Sequence, residues 1–193
     1  MDLKGHSART ATSSANGADD REARSKFWIA VYTRPRSEKK VASELARSGF
    51  ESYVPIQTIV KQWSDRKKKV DCVVIPMVVF ARISTENVLD IRKHPLVIKV
   101  LTLPGQKNPA RIPEEQISRL KFMLSESDVP VVFEQTEFKQ LDMVRVIRGN
   151  LSGLEGKVVR TNDGQTKLII SIDILGGATV TIDPIDLEVI PQL

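Results

Sequence analysis

Val144-Arg145-Val146-Ile147-Arg148-Gly149-Asn150-Leu151-Ser152-Gly153-Leu154-Glu155-Gly156-Lys157-Val158 decides how the end of the chain is read. Two apolar runs flank a segment with glycines at 149, 153 and 156. Alternation with a period of two puts the apolar side chains of a strand on one face. Glycine accepts positive φ and close packing, so the spacing predicts a tight strand–turn–strand unit. Glycine spacing of this kind also occurs in ordinary β-turns, so the neighbouring sequence has to decide. Strand-like stretches stand at 143–147, 157–161, 167–174, 178–182 and 187–190. Gly149-Asn150, Asn162-Asp163-Gly164, Gly176-Gly177 and Asp183-Pro184 punctuate them. Five short strands over residues 138–193 fit a small all-β barrel of SH3 size. The β-branched residues Ile169, Ile170, Ile172, Thr179, Val180, Thr181 and Ile182 favour strands over any helical alternative.

Upstream the pattern changes. Residues 27–32 are bulky, aromatic and β-branched, hence a strand. Pro35 opens a helix whose apolar stripe is Val41, Ala42 and Leu45, with Gly49 as its stop. Strands are expected at 52–56, 58–63, 70–75, 77–83 and 97–101, with 64–69 as a basic turn. Helices are expected at 86–93 and from Ile112, the latter with Ile117, Leu120 and Leu124 on one face. The fold class is therefore α+β: an antiparallel sheet flanked by helices, then an all-β barrel. The segments are 1–25, poor in large apolar residues and read as a disordered tail; 26–125; an acidic linker at 126–137; and 138–193.

Charge follows the same division. The whole chain carries 29 Lys+Arg against 24 Asp+Glu, net +5. Residues 27–125 are net +9, 126–137 net −4 and 138–193 net −1. A basic unit beside a nearly neutral one points to nucleic acid, or an acidic protein surface, as a partner of the first unit only. A merely solvated basic face is the plain alternative. So mild a charge contrast gives the barrel little drive to lock onto the first unit, and it is expected to hang free on its tether. All ten aromatics lie at or before Phe138, so the last 55 residues have no ring on which to stack a base.

Much chemistry is excluded. There is one cysteine, Cys72, read as a small core residue, so no disulfide framework forms within the chain. The two histidines, His6 and His94, leave no zinc or Ser-His-Asp set, and His94 reads as a helix-end residue. Neither GxxxxGK[ST] nor GxGxxG occurs. No catalytic residue, metal or cofactor is expected. No apolar run is long enough to cross a bilayer and no secretory signal is expected, which suggests the cytoplasm.

Residues 144–158 resemble the KOW motif, V-R-V-x-x-G-x-F-x-G-x-x-G-x-V, with Leu151 at the Phe position. Trp28-Ile29-Ala30-Val31-Tyr32-Thr33 resembles the W-Y-x-V opening of the NusG N-terminal (NGN) domain. Ile75-Pro76-Met77-Val78-Val79-Phe80-Ala81-Arg82 resembles its F-P-G-Y-V-F-V-x segment, with Met77-Val78 at Gly-Tyr. Ser171-Ile172-Asp173-Ile174-Leu175-Gly176-Gly177-Ala178-Thr179 resembles S-V-x-I-F-G-R-x-T, with Leu175 at Phe and Gly177 at Arg. Together they resemble the NusG family of transcription elongation factors. The stretches 33–40 and 62–69 are similar to specialised capsule-operon paralogues of the UpxY type.

The resemblance implies an NGN domain followed by a KOW barrel, and an antitermination factor that works as a monomer on a capsular or exopolysaccharide operon. It implies docking on the clamp helices of the largest RNA polymerase subunit through Trp28, Tyr32, Ile75, Val78 and Phe80. Trp28, Val78 and Phe80 read equally well as core strand residues. Strand alternation would set Ile75, Met77 and Val79 on one face and Val78 and Phe80 on the other. Arg34, Arg36, Lys39, Lys40, Arg66, Lys67, Lys68 and Lys69 would approach upstream or non-template DNA or nascent RNA. Ile174 and Leu175 would meet a partner of the KOW barrel, a ribosomal protein or another factor. Loss of the aromatic at Leu175 argues for a specialised role. The rival readings are a ribosome- or RNA-associated translation factor and, with so few catalytic groups, an enzyme.

Overall fold

The computed structural model describes residues 25–63, 66–135, 142–161 and 163–191. The expected tail at 1–24, the turn residues Ser64 and Asp65, Phe138 and Asn162 lie outside the described residues.

Strand β1 (Phe27–Thr33) is the axis of the first sheet, whose order is β2 (Glu51–Tyr53), β5 (Val78–Ile83), β1, β6 (Val97–Val100). The β1–β5 pair is antiparallel, with Ala30 opposite Phe80. Both strands are apolar but for Thr33 and Arg82 because both faces of the sheet are covered. On one face Ile29, Val31, Val79, Ala81 and Ile83 meet Val41 and Leu45 of α1 (Glu38–Arg47) and Val88 and Ile91 of α2 (Val88–Lys93). On the other, Trp28, Ala30, Val78 and Phe80 meet Ile117, Leu120, Met123 and Leu124 of α3 (Glu114–Glu126). The i, i+3, i+7 stripe of α3 is thus the face it buries.

The second sheet is six-stranded and antiparallel. Its order is β12 (Leu187–Val189), β8 (Met143–Val146), β9 (Glu155–Arg160), β10 (Thr166–Ile172), β11 (Gly176–Thr181), β7 (Val132–Glu134). Among described residues 142–191 there is no α-helix, as the β-branched runs require. In the glycine turn, Gly153 takes φ 87°. Gly156 acts differently: a Cβ there would lie 2.7 Å from the Ile169 carbonyl oxygen, so its role is close strand approach.

Two expectations are corrected. The acidic stretch 126–137 is not a tether throughout, because Val132, Phe133 and Glu134 form an edge strand opposite Thr179, Ala178 and Gly177. An apolar pair outweighs the acidic composition around it. Nor does the second sheet hang free. Gln116 Nε2 of α3 donates to Asp173 Oδ2 at 2.6 Å, and Arg119 reaches Glu155 at 3.2 Å. One apolar cluster runs from Trp28 and Phe80 through α3 to Val144, Leu168 and Ile170. Net charge argued for independence, but the apolar face of α3 and two polar pairs decide the packing.

Candidate nucleic-acid interface

Among the described residues, strands β3 (Ile56–Gln62) and β4 (Lys67–Val73) pair only with each other, as a hairpin outside both larger sheets. Its base is held from within. Gln57, 3% exposed, donates through Nε2 to the carbonyls of Ser127 (3.2 Å) and Val129 (2.8 Å). Its Oε1 accepts from the Val131 N–H at 2.8 Å. The hairpin is therefore anchored to the segment that follows α3. At the other end the Trp63 N–H donates to the Arg66 carbonyl at 2.8 Å, so the ladder runs to the tip. The lysines expected in a turn accordingly lie in strand β4, where Lys67, Lys68 and Lys69 stand opposite Gln62, Lys61 and Val60.

Strand alternation then sorts the charges. One face carries Thr58, Val60 and Gln62 with Asp71, Lys69 and Lys67; the other carries Ile59 and Lys61 with Val70 and Lys68, and the Trp63–Arg66 closing bond extends it to those two residues. The first face continues onto α1. Asp71 accepts from Thr58 Oγ1 at 2.9 Å and from Lys39 Nζ at 3.1 Å. The Thr58 hydroxyl first, and Lys39 second, hold the Asp71 carboxyl below the usual carboxylate range. Lys39 is thus held at Asp71, on the face that also carries Lys69 and Lys67, with Lys40 next to it, exposed in the first turn of α1. Arg34 and Arg36 are exposed just before α1, Arg36 with the left-handed φ of 61°. Of the predicted basic set, Lys39 is joined to the face that carries Lys67 and Lys69, whereas Lys68 and Arg66 face the other way with Lys61. Among the described residues, Lys61, Lys67, Lys68 and Lys69 make no ion pair. Two residues of this surface, Lys61 and Trp63, escaped the sequence reading. Only cross-strand register shows that they share a face.

The apolar docking set lies elsewhere. Trp28, Ile75, Val78 and Phe80 are each 2% exposed or less and pack in the core against α3. Tyr32 alone is half-buried, with Lys99 Nζ 5.2 Å from its ring centroid. Ile75 joins Val78 and Phe80 in one cluster, contrary to simple alternation. The reason is Met77, which turns the chain at φ 63° while its N–H donates to buried Glu38 at 2.7 Å, so β5 begins only at Val78. Around this cluster Lys121 lies over the rings of Trp28 (4.7 Å) and Tyr53 (5.1 Å), and burial pushes the Tyr53 hydroxyl above its usual range.

In the turn between β10 and β11, Leu175 is buried and Ile174 half-buried. The adjoining Asp173 is held by Gln116, so α3 sits beside this turn. Cys72 is partly buried. His94 closes α2, as expected of a helix-end residue, with Nε2 2.7 Å from Glu44 and Nδ1 accepting from the Leu96 N–H. Among the described residues no cluster of His, Cys, Asp and Glu is placed to hold a metal, and no helix is long and apolar enough to cross a membrane.

Comparison with known proteins bears on these surfaces. The family model described as transcription termination factor nusG matches residues 26–121, from β1 into α3. No curated protein matches the chain. Among solved structures, Thermotoga maritima NusG, described for its domain interaction, is 21% identical with a TM-score of 0.45, covering 88% of this chain and 99% of that one. The MjSpt4:Spt5 complex in its conformation A is 16% identical with a TM-score of 0.27, covering 86% and 100%.

Proposed function

We propose that the chain, whose residues 26–121 match the nusG family model, is a NusG-family transcription elongation factor that binds RNA polymerase and promotes antitermination. The family match across the helix-covered sheet carries this reading. The basic side formed by α1 and the β3–β4 hairpin supports it, since a factor riding on polymerase works beside a polyanion. The first sheet with α1–α3 holds the clamp of the polymerase, and the hairpin side faces upstream or non-template DNA or nascent RNA. Tyr32 touches the polymerase, while Trp28, Ile75, Val78 and Phe80 shape that face from the core. The second sheet is a KOW-type barrel whose 173–175 turn, with Ile174 and Leu175, meets a further factor.

The mechanism is one of bound states. A factor that bridges two parts of an elongating polymerase favours the state in which both are in reach. A preference of about 1.4 kcal/mol shifts a paused–active equilibrium tenfold. No bond is made or broken by this chain, and it works in the cytoplasm. A specialised role is supported by Leu175 standing where the family motif has an aromatic residue, and a long capsular or exopolysaccharide operon by the likeness of stretches 33–40 and 62–69 to UpxY-type paralogues. Single-round transcription through a terminator tests the proposal. Added protein should increase the read-through product; unchanged pausing and termination at saturating protein would refute it.

A further inference from the structure

We propose that the tip of the β3–β4 hairpin is a stacking site for unpaired bases, with Trp63 as the platform and the Lys61–Lys68 rung as the partner of the adjoining phosphates. This deepens the reading of the hairpin as the nucleic-acid-facing element and rests on it.

Three observations converge. Trp63 is 55% exposed, whereas the other tryptophan, Trp28, is 1% exposed. A single exposed apolar residue needs no explanation. Here, however, a large flat ring sits at the free end of a hairpin whose opposite end is anchored by Gln57. Next, Lys61 stands directly opposite Lys68. Like charges in that relation destabilise a strand pair, and a bound polyanion reverses the sign of that interaction. The one carboxylate described on either strand, Asp71, is engaged by Thr58 and Lys39 near the base, on the other face. Finally, Lys61 and Lys68 share a face, and the Trp63 N–H to Arg66 carbonyl bond extends the register by one rung, so parity sets Trp63 and Arg66 on that face too. Successive rungs on one face lie about 6.6 Å apart along the strand, so ring and cations form one short track.

This combination selects the partner. An acidic protein surface satisfies lysines and can bury an indole, but only in a matching apolar pocket, which a surface made of carboxylates does not offer. Duplex DNA offers phosphates with its bases already stacked. A single strand offers both phosphates and free π-faces, and stacking tolerates every base. Neither stacking nor phosphate pairing reads the sugar, so the site takes an unpaired strand of DNA or RNA.

The test uses the full chain and its own fluorescence. Oligo(dT) and oligo(U) of about 15 nucleotides are titrated against it while tryptophan emission is recorded. Quenching of the exposed indole is expected with both, and weaker binding with duplex DNA. Trp63→Ala should lower single-strand affinity roughly 5- to 150-fold, and Trp63→Phe should restore most of it. The double variant Lys61→Ala/Lys68→Ala should flatten the slope of log affinity against log salt by about 0.7 for each phosphate that is no longer neutralised. Emission from Trp28 in each variant reports that the fold is retained. Single-strand affinity within twofold between Trp63→Ala and the parent chain, or no quenching at saturation, overturns the stacking site, including the case where the tip holds protein instead. Polymerase binding by the parent chain, measured separately, keeps the two readings apart: its absence would defeat the elongation-factor reading, and oligonucleotide binding would still decide this one.

Discussion

Replacing Gln57 with Leu tests whether the hairpin is an anchored element or an appendage. Leu keeps the volume and removes both polar atoms. Three hydrogen bonds vanish, to Ser127, Val129 and Val131. Their consequences differ. Ser127 is only partly buried, so its carbonyl can turn to water, and the Val129 carbonyl still accepts from Ser127 Oγ at 2.8 Å. The Val131 N–H is in a buried bond and loses its acceptor. An orphaned buried donor costs roughly 1–3 kcal/mol, and the two other bonds add about 1 kcal/mol together after water takes their place. The expected loss is about 2–4 kcal/mol, which at this chain length lowers the Tm by roughly 5–12 °C. Thermal unfolding followed by circular dichroism measures this, with trypsin cleavage in the lysine-rich strand as a second readout. A Tm within about 2 °C of the parent chain, with unchanged cleavage, would refute the anchoring argument.

Ile75→Glu puts a carboxylate among Trp28, Val78 and Phe80, which costs several kcal/mol, so the variant should lose the buried emission of Trp28; a stable fold would show that Ile75 is a surface residue instead. Gly156→Ala drives a methyl group into the Ile169 carbonyl and should cost about 1–3 kcal/mol in denaturant unfolding, whereas equal stability would contradict the close approach of β9 and β10. Asp71 titrates below its usual range, so its pairing stabilises the fold fully above the ordinary carboxylate range near pH 4 and fades as pH falls through the lowered value. Thr58→Val removes the larger cause and should move the Asp71 carboxyl midpoint upward in an NMR titration, an unmoved midpoint assigning the depression to another group.

Where local pattern and burial agreed, the fold was legible. The run 27–32, the stripe of α3 and the β-branched stretches of β10 and β11 each specify one element and one buried face. Long-range relations were not. Val132–Glu134 looked like part of a charged linker because an edge strand is defined by its partner β11, not by its own composition. Packing of α3 on the second sheet depends on Gln116 and Arg119, polar residues whose partners are 57 and 36 positions away. Lys67, Lys68 and Lys69 were visible as a basic group, yet their division between two faces follows from a register that no local signal fixes. For the apolar candidates the ambiguity was physical. Aromatic and β-branched residues in a strand serve a core or a docking face equally well, and only the covering helix α3 shows which is filled.

The central claim is that this chain works on RNA polymerase. Co-purification of the tagged full chain with core polymerase tests it most directly, with ribosomes offered in the same lysate. The account predicts stoichiometric recovery of the core polymerase subunits. Recovery of ribosomes without polymerase would contradict it and make the chain a translation-linked RNA binder.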